Sequence, residues 1–210
     1  MLDTWLGGIS RAEFIATYFG RAAFARPSVV ADPLALFGWR DLAEVLASGA
    51  AECFVVAAGE IVDTAAPSTH QGVIDLLRLG AGLFVRRAEH AHARLAQLAA
   101  SIPGARVQIF VTPGATHGFR WHYDDEHVFV LQTAGIKDYY LRVNTLAADL
   151  PAHPSVFSRI ERETSALHVA TLAPGDFLYV PARWWHMAES RQTSLSLSIG
   201  VSRDLHRLGS

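Results

Sequence analysis

Cysteine and lysine are nearly absent from this sequence. Its 210 residues hold one cysteine, Cys53, so no disulfide can form within the chain and a reducing compartment is expected. Cys53 opens the apolar run Cys53 to Ala58 and reads as a buried structural thiol rather than a nucleophile. No stretch approaches the ~18 apolar residues that would cross a bilayer, and the N-terminus lacks a basic segment followed by an apolar one. No membrane association is expected, and the cytoplasm is the expected address. A basic excess is missing too: a formal charge of -2 argues against dependence on nucleic-acid phosphates, so no nucleic-acid partner is expected. Among the 18 Lys+Arg residues, Lys137 is the only lysine. Every other basic position has arginine, so position 137 reads as one that requires a compact ammonium on a flexible stem, suited to holding an anion.

What is present is apolar sequence: half the residues are hydrophobic, enough for one well-filled core, and a single domain over 1–210 is expected. Residues 1–104 read as a helical and mixed cover. Ser10 and Glu13 form a capping box that opens a short helix through Phe19, ended by Gly20. A second helical pattern runs from Leu34 to Leu46, with Asp41 as an internal N-cap. Glu52 to Ala58 and Leu83 to Val85 read as strands, Ser68 to Leu79 and Ala88 to Ala100 as helices. His90 and His92 stand about 200° apart on the last of these, so they cannot share a metal and read as surface residues.

From residue 105 to 202 strand signals recur at short spacing. The candidates are Arg106 to Thr112, Phe119 to Tyr123, His127 to Thr133, Lys137 to Val143, Leu167 to Leu172, Phe177 to Val180, His186 to Glu189 and Thr193 to Ser202. Eight strands with this spacing predict a jelly-roll core, mainly β with flanking helices. Asn144 to Ser165, with Pro151 and Pro154, is the long connection between its halves and a candidate loop over the mouth.

The chemistry concentrates between Gly118 and Leu141. Side chains alternate along an extended chain, so His122 and Asp124 project to one side and can reach one ion. His186 is the best third ligand, because the turn Pro174-Gly175-Asp176 feeds the strand Phe177 to Val180, which stops at Pro181 just before it. Two imidazoles and one carboxylate suit ferrous iron and leave coordination positions open. His127 is out of phase with the pair, and His117 and His168 read as loop or packing residues. Glu126 would be a fourth ligand in a different class of metal site, a reading that Lys137 opposes.

Five pieces of sequence together resemble one family. They are Thr112-Pro113-Gly114; His122-Tyr123-Asp124; Val128 to Gln132 followed by Gly135 and Lys137; Pro174-Gly175-Asp176 followed by Leu178 to Pro181; and Trp185-His186. The combination, spanning Gln108 to Val201, resembles the JmjC-like cupin oxygenases that use Fe(II) and 2-oxoglutarate, especially the bacterial ribosomal-oxygenase type. The resemblance implies a double-stranded β-helix, iron held by His122, Asp124 and His186, and the distal carboxylate of 2-oxoglutarate held by Lys137. It further implies a dioxygenase that consumes O2 and 2-oxoglutarate and hydroxylates a protein or peptide side chain. A free amino acid or natural-product intermediate is the alternative substrate, and a non-catalytic metal-binding cupin the second alternative. The sequence departs from the family pattern at His127, where a second acid is common, and at Asp138-Tyr139, where a basic-aromatic pair often follows the lysine.

Around that co-substrate, Tyr139 shares the Lys137 strand face and can donate a hydrogen bond. Ser194 and Ser196 lie on the small polar face of the last strand, opposite Leu195, Leu197, Ile199 and Val201, and are candidate carboxylate donors. Arg120 shares the His122 face and is expected to contact an anionic or carbonyl group of the substrate. Trp184 and Trp185 should point oppositely, one into the core and one flanking the entrance, with Trp184 the candidate for substrate contact. Little chain follows the last strand, whereas dimerisation and winged-helix regions follow the barrel in larger ribosomal oxygenases. A monomer or homodimer is expected.

Overall fold

The computed structural model describes residues 2–146 and 157–202. Helices α1 (Leu2–Trp5), α2 (Arg11–Thr17), α3 (Pro33–Leu36), α4 (Trp39–Ser48), α5 (His70–Arg78) and α6 (Ala93–Ala100) lie in the N-terminal half. Between them run strands β1 (Phe24–Arg26), β2 (Glu52–Ala57), β3 (Glu60–Val62) and β4 (Gly82–Arg86). The C-terminal half contributes β5 (Arg106–Thr112), β6 (Thr116–His117), β7 (Glu126–Ala134), β8 (Lys137–Arg142), β9 (His168–Leu172), β10 (Phe177–Val180), β11 (Trp185–Ser190) and β12 (Ser194–Ser202). No helix among the described residues is long and apolar enough to cross a membrane.

Two antiparallel sheets face each other. The larger has the order β1-β10-β7-β12-β5-β4-β2-β3, the smaller β6-β11-β8-β9. This is the jelly-roll, double-stranded β-helix arrangement expected from the strand spacing. The alternation of β12 explains why the large sheet has two dry faces. Leu195, Leu197, Ile199 and Val201 are fully buried with Phe129, Phe177 and the apolar sides of the helices. Ser194, Ser196 and Ser198 are buried on the other side, where Val130, Leu178 and Val180 meet Tyr139 and Leu141 of the small sheet. The strand is thus buried on both sides rather than half solvated.

Among the turns that carry the chain between the sheets, two are specified by their residues. Gly135 joins β7 to β8 at φ +73, and a Cβ there would lie 2.4 Å from the Thr193 carbonyl oxygen, so only glycine fits. Asp176, at the predicted Pro-Gly-Asp turn before β10, accepts hydrogen bonds from the Ser28 and Ala173 amides, both at 2.8 Å. The turn is therefore tied both to itself and to the N-terminal segment.

The helical cover differs from expectation in three places. Ser10 does cap α2, accepting from the Glu13 amide at 3.1 Å. Asp41, however, is not an N-cap: Gly38 caps α4 and the Asp41 carboxylate reaches back to the Gly38 amide at 2.7 Å. The expected helix from Ala88 to Ala100 breaks into a 3-10 turn, Ala88–His90, and α6, because His92 is extended. His92 is consequently turned inward, its side chain 10% exposed, while His90 remains outside as expected. The third difference is the expected strand Phe119 to Tyr123: only β6 is regular there, and His122 forms a single isolated bridge. The connection expected to cover the mouth lies for residues 147–156 outside the described residues.

α2 is locked to the sheet by Phe14, fully buried with its ring 5.0 Å from Tyr179, 5.7 Å from Phe24 and 6.3 Å from Phe129. Phe14→Ala should cost about 3 to 5 kcal/mol in urea denaturation. A cost below about 1 kcal/mol would show that α2 does not unfold with the barrel.

Candidate metal centre

The irregular loop before β7 and the start of β11 meet at two residues. The His122 amide donates to the His186 carbonyl at 3.0 Å and the His186 amide donates to the His122 carbonyl at 2.7 Å. Residues that exchange both backbone bonds face each other across an antiparallel pair, and their side chains project to the same side. The two imidazole rings are 4.2 Å apart as a result. Each ring donates from Nδ1 to a carbonyl two residues earlier, His122 to Arg120 at 2.7 Å and His186 to Trp184 at 3.0 Å. That fixes the tautomer in which both Nε2 lone pairs face the pocket, the second sphere usual for metal-binding histidines.

Asp124 completes the group, with Oδ2 3.4 Å from His186 Nε2. One donor atom from each of His122, Asp124 and His186 lies within 4.8 Å of the others. Ligands at right angles on one ion stand about 3 Å apart when bonds are about 2.1 Å, so the donors fit a small divalent cation in number and spacing. Burial and the neighbouring His186 pull the His122 pKa down to about 4, which keeps its imidazole neutral at pH 7. Burial also opposes charge on His186, but its contact with Asp124 and the Trp184 carbonyl outweigh burial and raise its pKa.

The same pocket holds Lys137. It is 2% exposed, and its ammonium donates to Thr112 Oγ1 at 3.1 Å, with no carboxylate paired to it among the described residues. Burial pulls its pKa down to about 8. Phe110 and Tyr139 flank it, with Nζ 5.7 and 5.9 Å from their ring centroids. Tyr139 bonds to Ser196, and burial raises its hydroxyl pKa. A buried ammonium facing a cavity without a counter-ion is a receptor for an anion.

Some expected contacts do not form. Ser194 bonds to Ser190, Oγ to Oγ at 2.7 Å, and does not line the pocket. Arg120 turns away to the β2–β3 turn, donating to the Ala58 carbonyl at 3.2 Å and pairing with Glu60 at 3.2 Å. Residues 118–125 are not a regular strand, so two-residue alternation does not put Arg120 beside His122. Trp184 and Trp185 are both buried: Trp184 packs between the sheets beside Leu141 and Leu178, and Trp185 packs edge-on against Tyr123 at 4.9 Å. His127 is no ligand; it accepts from the Ala182 amide at 3.2 Å and stacks on Phe19, and Glu126 pairs with Arg106. Lining residues that sequence reasoning missed include Gln108, Phe110, Phe119 and Ser198. Ser198 was signalled by the alternation of β12, and Gln108 and Phe110 by sharing a strand face with Thr112.

A second acid-histidine group lies outside the barrel, where Asp41, Glu44 and His92 converge. Arg94 pairs with Asp41 at 3.2 Å and Arg40 with Glu44 at 3.4 Å, so these carboxylates already have cations.

Fold and donor set together define a double-stranded β-helix with a two-histidine, one-carboxylate centre. The chain belongs to the JmjC domain family, whose sequence model matches residues 84–207. Over 95 residues it is 37% identical to a Drosophila persimilis protein named bifunctional lysine-specific demethylase and histidyl-hydroxylase NO66, covering 45% of this chain and 13% of that one. Over 97 residues it is 37% identical to human ribosomal oxygenase 1, covering 45% of this chain and 15% of the relative. The chain therefore matches only a small part of these curated relatives. Its fold resembles that of YcfD, a ribosomal oxygenase from Escherichia coli solved with cobalt and succinic acid, with a TM-score of 0.61, 15% identity, and coverage of 92% of this chain and 51% of YcfD. Another YcfD structure matches with a TM-score of 0.65 at 16% identity, covering 91% of this chain and 52% of YcfD.

The centre should bind Mn(II) as a spectroscopic probe, followed by electron paramagnetic resonance. His186→Ala should weaken binding by more than about 100-fold through loss of a ligand. For the intact site, affinity should decline as pH falls through the raised titration of His186, since the protonated ring cannot ligate. Unchanged binding by His186→Ala would remove it from the site.

Proposed function

We propose that the chain is an Fe(II)- and 2-oxoglutarate-dependent oxygenase that hydroxylates a protein or peptide side chain. The observation that carries the reading is the buried Lys137 ammonium, unpaired with any described carboxylate, in the pocket that also contains His122, Asp124 and His186. A metal-binding cupin without catalysis has no use for that charge. The names of the family relatives, ribosomal oxygenases and a histidyl-hydroxylase, favour a protein substrate over a free amino acid.

Bound iron would supply dioxygen activation coupled to oxidation of 2-oxoglutarate to succinate and carbon dioxide. The protein's own part is mostly positioning. His122 and His186 would hold the metal with Asp124, each ring fixed by its Nδ1 hydrogen bond. Lys137 and Thr112 receive the far carboxylate of the co-substrate, and Tyr139, held by Ser196, borders it. Phe110, Val128, Val130 and Val180 make the remaining wall apolar and exclude water. Gln108 and Asp124 line both this pocket and a charged outer basin with Arg86, Arg106 and Glu126, and the substrate would enter between them. The direct test is succinate formation from 2-oxoglutarate in the presence of candidate peptides and metabolites. Stimulation by metabolites alone would transfer the reading to a small-molecule hydroxylase.

Lys137→Ala should raise the 2-oxoglutarate requirement by removing a charge-assisted contact of about 1.5 to 3 kcal/mol, leaving Mn(II) binding intact. In the wild type the ammonium must be protonated to hold the dianion, and its pKa in the empty pocket is about 8. Affinity should be flat below that pH and weaken by about tenfold per unit above it. Unchanged affinity in Lys137→Ala, or an affinity indifferent to pH up to about 9.5, would overturn the assignment.

A further inference from the structure

The turn before β11 contains a residue whose conformation is costly. Trp184 donates its amide to the Pro181 carbonyl at 3.2 Å, closing a four-residue turn with Arg183 at its third position. Arg183 has φ +66, the left-handed region that glycine occupies at that position of type II turns. An arginine there carries steric strain that glycine would not, and such strain persists where surrounding contacts over-determine it.

Three of its contacts fall on one stretch of chain. The Arg183 amide donates to the Asp124 carbonyl at 2.7 Å. Its guanidinium lies over the Tyr123 ring, 5.4 Å from the centroid, and Nη1 stands 3.7 Å from Asp125 Oδ1. The Arg183 side chain is 17% exposed, so these contacts are partly shielded from solvent. One residue thereby grips three consecutive residues, of which the middle one is the carboxylate of the metal centre. The histidines have each other's backbone to hold them. Asp124 lies beyond that bridge, in a segment without regular strand pairing, and its side chain is 46% exposed.

We propose that Arg183 is a positioning residue for the metal centre: its side chain clamps Tyr123 and Asp125 so that the Asp124 carboxylate is held where His122 and His186 can share an ion with it. The inference rests on the metal-centre reading above. Glycine at 183 would keep the backbone conformation and the amide bond to Asp124 while removing only the clamp. Arginine is used where glycine would be less strained because the guanidinium fixes the ligand loop.

Arg183→Gly and Arg183→Lys, as full-length chains, test this with Mn(II) affinity by electron paramagnetic resonance, the visible spectrum of the Co(II)-loaded protein, and the melting temperature of the metal-free protein. Arg183→Gly should weaken Mn(II) binding about tenfold, the scale of an outer-sphere partner, and alter the Co(II) bands. Its metal-free melting temperature should stay within about 2 °C of wild type, since relief of strain offsets lost contacts. Arg183→Lys, which keeps charge but not the planar fork, should fall between the two. Wild-type affinity and spectrum in Arg183→Gly would overturn the proposal, as would a fall in melting temperature that accounts for the loss of metal. Absence of Mn(II) binding by the wild type would instead overturn the metal centre itself, and with it any role for Arg183 there.

Discussion

The reciprocal backbone bonds between His122 and His186 are the constraint on which the centre depends. They are a strand pairing only one residue long, yet they tie the loop between β6 and the large sheet's β7 to β11 of the small sheet. Both ligands are thereby fixed by main-chain geometry before any side chain is chosen. The rotamers are then set by Nδ1 hydrogen bonds to carbonyls of the same two segments. Asp124 is held differently, through the Arg183 amide that donates to its carbonyl and through its contact with His186.

Lys137 is the opposite case, a group the fold holds at a cost. Desolvation disfavours its charge, and a threonine hydroxyl compensates only part of what water would provide. Replacement by an apolar side chain would relieve the cost, and the carboxylate of the proposed co-substrate would offset it. The Gly135 turn is what places it: β8 begins two residues later, and its first side chain faces the interior. A shift of register by one residue would turn Lys137 out of the pocket and put Asp138 in its place.

Much of this was legible in the sequence because it depends on local pattern. Apart from Phe119 to Tyr123, the strands from Arg106 onward have boundaries close to those expected, since alternation and turn residues specify them, and the Pro174-Gly175-Asp176 turn occurs where its residues demand. The convergence of His122, Asp124 and His186 could be anticipated because two of them stand two apart in sequence and the third follows a recognisable turn. Arg120 and Trp184 were misplaced for one shared reason: strand alternation was extended into segments whose course is set by tertiary contacts. Nothing local to Arg120 reveals Glu60, some sixty positions earlier in the chain, as its partner. His92 was misplaced because an alanine-rich helical pattern hides a 3-10 break that only packing against Asp41 and Phe37 fixes. Arg183 was invisible for the same reason, since a left-handed arginine has no sequence signature.

The two sheets differ in width, eight strands against four. The strands β4, β2 and β3 therefore extend past the jaw formed with the small sheet. Phe84 and Arg86 of that extension, with Glu52, border the same basin as Asp124. None of them belongs to the strands that carry metal ligands or Lys137. Phe84 of this overhang stacks on Phe110, 4.8 Å between ring centroids, so the N-terminal half of the chain also shapes the wall of the pocket that holds Lys137.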